Sequence, residues 1–181
     1  MDAVTDQTKR NLAEAFRRAA AASLVRERGD VCNIVSADNR NRAEPLGSNL
    51  LLITISSWVF RLQTIFQISE CQATRDYYLR GDSAQTLDEA FAEVANLCCG
   101  ALNRELAVQF RHLAMSTPYQ LSRSCGGFLE QLRPQYQSRF DITINESVRL
   151  QATFCMFCQI PVEFVSTAGE VNHDGGELEM F

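Results

Sequence analysis

Lysine is almost absent from this chain: Lys9 is the single example, and the other basic residues are arginines. A phosphate-binding loop of the Walker type needs the pattern Gly-x-x-x-x-Gly-Lys, so nucleotide hydrolysis by that route is excluded. Acidic residues outnumber basic ones by 22 to 17, which leaves a net charge of −5. Because nucleic-acid surfaces depend on clustered cations, this balance predicts no nucleic-acid partner.

Long hydrophobic runs are missing as well. The run of small apolar residues at 19–25 is too short for a membrane span, and arginines bracket it, so we expect no membrane insertion. The seven cysteines are an odd number and lie mostly in apolar stretches, and no signal-peptide pattern opens the chain. These features predict reduced thiols and a cytoplasmic location.

The length of 181 residues and the hydrophobic fraction of 46% suit one well-buried domain better than two. We expect this domain to cover residues 1–165. From Ser166 onward the composition turns to Gly, Glu and Asp, which predicts an acidic and mobile C-terminal tail over 166–181.

The order of the sequence patterns predicts an α+β fold. Apolar residues at helical spacing favour helices over 5–28, 70–79 and 85–107, and β-branched or alternating stretches favour strands over 50–56, 60–68, 108–115, 140–145 and 149–165. Residues 125–127 are predicted as a loop, and 128–137 as a short helix broken by Pro134. Because short turns separate the strands, we expect an antiparallel sheet with the two long helices packed on it.

The helix predicted over 85–107 carries the most informative pattern, an acidic residue and an asparagine three positions apart. Residues with this spacing share one helix face, so Glu93 and Asn96 stand side by side. The apolar residues fall on the other side as a predicted buried stripe: Leu87, Phe91, Val94, Cys98, Ala101 and Leu102. The predicted exposed row consists of Glu89, Glu93, Asn96, Gly100 and Asn103. Since a glycine one turn past Asn96 lets another backbone approach the amide, the row indicates a docking surface.

Residues 93–100, followed by the turn Met115-Ser116-Thr117-Pro118, resemble the CheX/CheC family of chemotaxis phosphatases. That family carries an acidic-x-x-Asn helix, a glycine four residues on, and a small-Ser-x-Pro turn after the next strand. The resemblance covers about residues 50–165 and implies the CheC-like fold. Leu121-Ser122-Arg123 stands where the family often has a glycine. Residues 30–33 also spell acidic-x-x-Asn but begin outside the predicted helix, so one site is expected, as in CheX.

What the resemblance implies is hydrolysis of the aspartyl phosphate on a CheY-like receiver domain. Glu93 and Asn96 would be the catalytic residues, with Asn96 orienting the attacking water and Glu93 pairing with a receiver lysine. Glu89, Gly100 and Asn103 would contact the partner. The receiver would bring its own Mg²⁺, so no cofactor held by this chain is expected. The resemblance also implies a homodimer.

Other interpretations stay open at this point. The same helix face could serve a non-catalytic adaptor that binds a receiver or a flagellar-switch component, or the chain could be a scaffold that dimerises through its sheet. Cys155 and Cys158 have the spacing of a redox motif, but strand residues three apart face opposite sides, so two buried thiols are the favoured interpretation. A thiol nucleophile built from 98–99 and His112 is a further alternative, although nothing in the sequence fixes its geometry.

Overall fold

An antiparallel sheet with α-helices on one face dominates the molecule. The computed structural model describes residues 3–37, 46–81, 84–128 and 130–165. Within these residues the elements are α1 (Asp6–Ser23), β1 (Cys32–Ala37), β2 (Asn49–Ser56), β3 (Phe60–Ile68), α2 (Gln72–Leu79), α3 (Leu87–Ala107), β4 (Ala114–Met115), β5 (Tyr119–Ser122), β6 (Tyr136–Ile144) and β7 (Val148–Cys158). Two short 3-10 helices, Arg123–Phe128 and Glu130–Leu132, connect β5 to β6.

The described residues form seven strands in one sheet, six of which follow the order β1-β6-β7-β3-β2-β4. The seventh strand, β5, also pairs with β2: β4 pairs with residues 55–56 of β2, and β5 pairs with residues 49–52. Each strand pairing is antiparallel. The predicted α+β class and the antiparallel sheet carrying two long helices are therefore confirmed.

The main core lies between the sheet and the two long helices, α1 and α3, which pack against each other. Phe16 of α1 is fully buried at its centre, with its ring centroid 4.7 Å from that of Phe140 and 4.8 Å from that of Phe154. Aromatic rings at such separations add packing energy beyond the area that they bury. A small second cluster of Leu50, Ile65 and Cys155 lies apart from this main core.

The first helix is shorter than predicted. α1 begins after the N-cap Thr5, whose Oγ1 accepts a hydrogen bond from the Thr8 amide at 3.1 Å, but it ends at Ser23 and not at 28. Beyond it, Asp30 accepts hydrogen bonds from the backbone amides of Arg26 (3.3 Å) and Glu27 (2.9 Å). These bonds hold the segment as a turn, because a side-chain acceptor competes with continued helix.

Other elements also differ from the sequence-based predictions. The strand predicted over 108–115 shrinks to β4, because the amides of Gln109 and Phe110 donate to the Leu106 carbonyl and continue the helix as turns. β1 was not predicted at all. Residues 125–127 lie in a 3-10 helix, and the helix expected over 128–137 is a 3-10 helix over Glu130–Leu132, after which β6 begins. β7 ends at Cys158 and does not extend to 165 as predicted.

In the described part of the chain, none of the helices combines the length and the apolar character needed to cross a bilayer. The tail predicted over 166–181 lies outside the described residues.

Candidate functional site

The helix that carries the predicted site, α3, has a firmly defined start. Thr86 is its N-cap: the Thr86 Oγ1 accepts from the Glu89 amide at 3.2 Å, and the Glu89 carboxylate accepts from the Thr86 amide at 2.8 Å. This reciprocal capping box satisfies donors that a helix end otherwise leaves without partners. The hydrogen bonds that the Glu89 carboxylate accepts from the Thr86 amide and from the Thr86 hydroxyl (2.7 Å) lower the pKa of Glu89. Glu89, predicted to contact a partner, thus also has a structural role in the capping box.

The buried stripe of α3 agrees with the prediction, except that Ala101 is half-buried. On the opposite side, Glu93 is exposed and Asn96 is half-buried. Directly beside the amide, Ala95 and Cys99 are almost completely buried, which anchors the backbone from which Asn96 projects. Glu93 lines an open cleft together with Glu89 and residues 84–85. The structure therefore places the two predicted catalytic residues together at the solvent side of α3.

The remaining members of the predicted row are less exposed than expected. Gly100 and Asn103 are half-buried, and the Oδ1 of Asn103 is buried without a hydrogen-bond partner among the described residues. A Cβ atom at Gly100 would meet only the Arg104 guanidinium, at an ordinary 3.7 Å. The fold itself therefore does not require glycine at this position. The partner-binding roles of Gly100 and Asn103 stay predictions.

The turn Ser116–Pro118 lies at the same level of the sheet as Asn96. α3 packs along β2. Asp88 in its first turn is hydrogen-bonded to Asn49 at the start of β2, and Phe110, beyond the end of α3, packs edge-to-face on Phe60, which follows β2 (ring centroids 5.0 Å apart). Eight residues of helix rise about 12 Å, the length of about four strand residues, so Asn96 lies near the middle of β2. The turn Ser116–Pro118 lies between Met115, which pairs with residue 55 of β2, and Tyr119, which pairs with residue 52 of β2. The turn is therefore also level with the middle of β2.

The surroundings of Cys98 and Cys99 in α3 do not suit a nucleophilic thiol. Cys98 and Cys99 are both buried, and this burial raises the pKa of Cys98 and raises that of Cys99 to about 12. His112, the histidine considered with them, is exposed in the turn after α3. Cys155 and Cys158 pack into different clusters, as the strand geometry predicted, but only Cys155 is fully buried, since Cys158 is half-buried. Across the described ranges, no three His, Cys, Asp or Glu side chains are grouped as metal ligands.

Sequence reasoning missed Asp88. Its carboxylate accepts hydrogen bonds from Asn49 and from Gln120, whose positions in the chain are 39 and 32 residues away. An acidic residue in the first turn of a helix is common because it complements the helix dipole, so the sequence carries no signal for these long-range bonds.

Comparison with known proteins identifies the fold. No protein-family model and no curated protein sequence matches the chain. Among solved structures, chemotaxis protein CheX from Vibrio vulnificus aligns with a TM-score of 0.51 at 14% identity, over 81% of this chain and 96% of that one. The CheX–CheY–BeF₃–Mg²⁺ complex from Borrelia burgdorferi gives 0.51 at 8% identity, over 82% and 97%. The FliM middle domain from Vibrio alginolyticus gives 0.50 at 8%, over 81% and 91%. At such identities the likeness concerns the fold, and the expected CheC-like fold is confirmed.

Proposed function

We propose that this chain is a CheX-like phosphatase, which hydrolyses the aspartyl phosphate of a CheY-like receiver domain by holding a water in line for attack. The observation that carries the proposal is the pair Glu93 and Asn96 at the solvent side of α3, in a fold shared with CheX proteins. A complex of one such CheX with CheY supports a receiver as the partner.

Asn96 is suited to orienting the attacking water. Phosphoryl transfer needs positioning and charge stabilisation more than covalent help from the protein. An amide side chain can accept one hydrogen bond and donate another, and it does not titrate. Because the buried neighbours Ala95 and Cys99 fix the helix backbone, the amide starts from a well-defined place. Asn96 would thus reduce the freedom of the water without taking up its proton.

Glu93 is suited to pairing with a cation of the partner. The cleft that it lines is otherwise formed by Glu89 and residues 84–85, none of which carries a positive charge. A receiver lysine reaching into this cleft would form a charge-assisted hydrogen bond with the carboxylate. Under this proposal the Mg²⁺ and the lysine both belong to the receiver, and this chain supplies the amide and the carboxylate.

The substitution Asn96→Ala tests the role of the amide. We expect the stimulated rate of phosphate loss from a phosphorylated CheY-like receiver to fall about a hundredfold, since misplacing one reactant costs that much. Receiver binding, measured by calorimetry, should change little. Asn33→Ala, which removes an exposed amide from β1, is the matched control and should keep the full rate. An Asn96→Ala protein with wild-type kinetics would remove Asn96 from the mechanism.

Glu93→Ala tests docking. Loss of a charge-assisted pair at an exposed site should raise KM for the phosphorylated receiver several-fold and lower the maximal rate less. Steady-state kinetics over a range of receiver concentrations separate the two effects. Unchanged KM and kcat would show that Glu93 is ordinary surface.

A second candidate function is a non-catalytic adaptor that binds a receiver or a flagellar-switch component through the same face of α3. The structural likeness to the FliM middle domain favours this alternative at the level of the fold. The two proposals differ in one observable, because an adaptor would bind the receiver without shortening the lifetime of its phosphate.

A further inference from the structure

One carboxylate fastens the first turn of α3 to the edge of the sheet. The Oδ2 of Asp88 accepts a hydrogen bond from the Nδ2 of Asn49 at 2.9 Å and another from the Nε2 of Gln120 at 2.5 Å. Asn49 is the first residue of β2, and Gln120 belongs to β5. Because the acceptor is a carboxylate, each bond is stronger than one between two neutral groups.

The hydrogen bond between Asp88 and Gln120 supports β5, a short strand at the edge of the sheet. β5 has four residues and pairs with β2, and it follows directly after the turn Ser116–Pro118. At the other end of the turn, Ser116 and Thr54 exchange two hydrogen bonds, of 2.9 Å through the Ser116 amide and 3.0 Å to the Ser116 hydroxyl. The turn is thus tied to β2 at its start and, through Gln120 and Asp88, to α3 just beyond its end.

Asp88 also has a fixed relation to the candidate site. Residues 88, 92 and 96 are successive members of one helical row, so Asp88 lies two turns before Asn96 on the side of α3 that meets β5. We propose that Asp88 is a positioning residue, which sets the place of the turn Ser116–Pro118 relative to Glu93 and Asn96. This inference rests on the proposed docking of a receiver at this surface. It makes the turn Ser116–Pro118 a second part of the docking surface, beside Glu93 and Asn96.

The first test needs only this protein. In Asp88→Ala, the backbone amides of β5 should exchange with deuterium at least about tenfold faster than in the wild type, because a short edge strand opens locally once a supporting bond is lost. Asp88→Asn keeps an oxygen acceptor and should restore protection. Glu14→Ala, which removes an exposed carboxylate from α1, is the matched control. Unchanged exchange in Asp88→Ala would overturn the inference.

The second test uses the phosphorylated receiver. Asp88→Ala should raise KM about tenfold, equal to 1.4 kcal/mol, and leave kcat within about twofold, because the turn contributes to docking while Asn96 remains anchored by buried neighbours. Gln120→Ala should have the same effect, and the double variant should be no worse than either single one. Full additivity, or an equal loss of kcat, would contradict a positioning role.

The two tests separate the inference from the proposed function. If the wild-type protein binds the receiver without hydrolysing its phosphate, the phosphatase proposal fails, and calorimetric receiver affinity takes the place of KM. Asp88→Ala and Gln120→Ala should then weaken receiver binding about tenfold and without additivity. Faster exchange in β5 combined with wild-type affinity would show that the contact is structural and would overturn the positioning role.

Discussion

At the scale of single residues, the difference in exposure between Glu93 and Asn96 matters for their proposed roles. A half-buried amide on an anchored helix has few alternative orientations, which suits the positioning of a water. An exposed carboxylate on a longer side chain can follow a cation that arrives with the partner. The difference in exposure therefore fits the two proposed roles, with Asn96 orienting the water and Glu93 docking the partner.

Cys71 is another residue with distinctive chemistry. It is exposed at the N-cap of α2, and its Sγ lies 3.3 Å from the Oγ1 of Thr74. Hydrogen bonds from Thr74 and Ser69, together with backbone amides of the first turn, lower the pKa of Cys71 to about 7. By contrast, burial raises the pKa of Cys155 to about 11.

We therefore predict selective alkylation of Cys71. At pH 7 iodoacetamide should modify it about tenfold faster than the other cysteines, because the thiolate is the reacting form. Peptide mass spectrometry over a time course measures the rate at each site. Thr74→Val keeps the shape of the buried side chain and removes the hydroxyl, so it should slow labelling of Cys71 at pH 7. Equal rates at Cys71 and at the half-buried Cys125 would contradict the prediction.

At the scale of elements, Asp30 joins three parts of the chain that are distant in sequence. Its carboxylate accepts from the Tyr77 hydroxyl of α2 (2.6 Å), from the Asn145 amide in the turn between β6 and β7 (2.7 Å), and from backbone amides that follow α1. These hydrogen bonds lower the pKa of Asp30 to about 2, and burial together with the Asp30 carboxylate raises the pKa of Tyr77.

This arrangement predicts a pH dependence of stability. The folded pKa of Asp30 lies below its unfolded value near 4, so its contribution is complete above about pH 4 and is lost as pH falls toward 2. Asp30→Ala should lower the urea midpoint at pH 6, and the difference from the wild type should shrink between pH 4 and 2. Glu14→Ala serves as the control. A difference that is constant across this range would refute the assignment.

Local signals account for the elements that could be predicted from sequence. The strands over 50–56 and 60–68 and the long helix show β-branched content, alternation, a cap and an apolar stripe within their own residues. β1 could not be predicted, because its six residues carry little periodicity and it is defined by pairing with β6. Residues 108–113 include apolar side chains that would suit a strand, but Phe110 instead packs against Phe60. Tertiary packing overrides propensity in both segments.

In the candidate site, too, some features could be predicted from the sequence and others depend on tertiary packing. Glu93 and Asn96 follow from helical periodicity and from the family resemblance, both of which can be read along one segment. The hydrogen bonds of Asp88 and the burial of the Asn103 Oδ1 depend on what the fold brings beside α3, so they could not be predicted from the sequence.

At the scale of the whole molecule, the homodimer expected from the resemblance remains a prediction. Sedimentation equilibrium of the wild-type protein should give the mass of two chains. A single-chain mass at micromolar concentration would contradict this expectation, and it would leave the proposed chemistry intact because Glu93 and Asn96 lie on one helix.

A phosphatase differs from an adaptor in turnover, because one molecule of the enzyme acts on many receivers. The most direct measurement is the rate of phosphate loss from an excess of phosphorylated CheY-like receiver, in Mg²⁺, with a small fixed amount of this protein. We predict that one molecule of this protein accelerates the loss of phosphate from many receivers, and that the rate rises in proportion to the concentration of this protein. Binding of the receiver with an unchanged lifetime of its phosphate would contradict the phosphatase proposal and identify the chain as an adaptor.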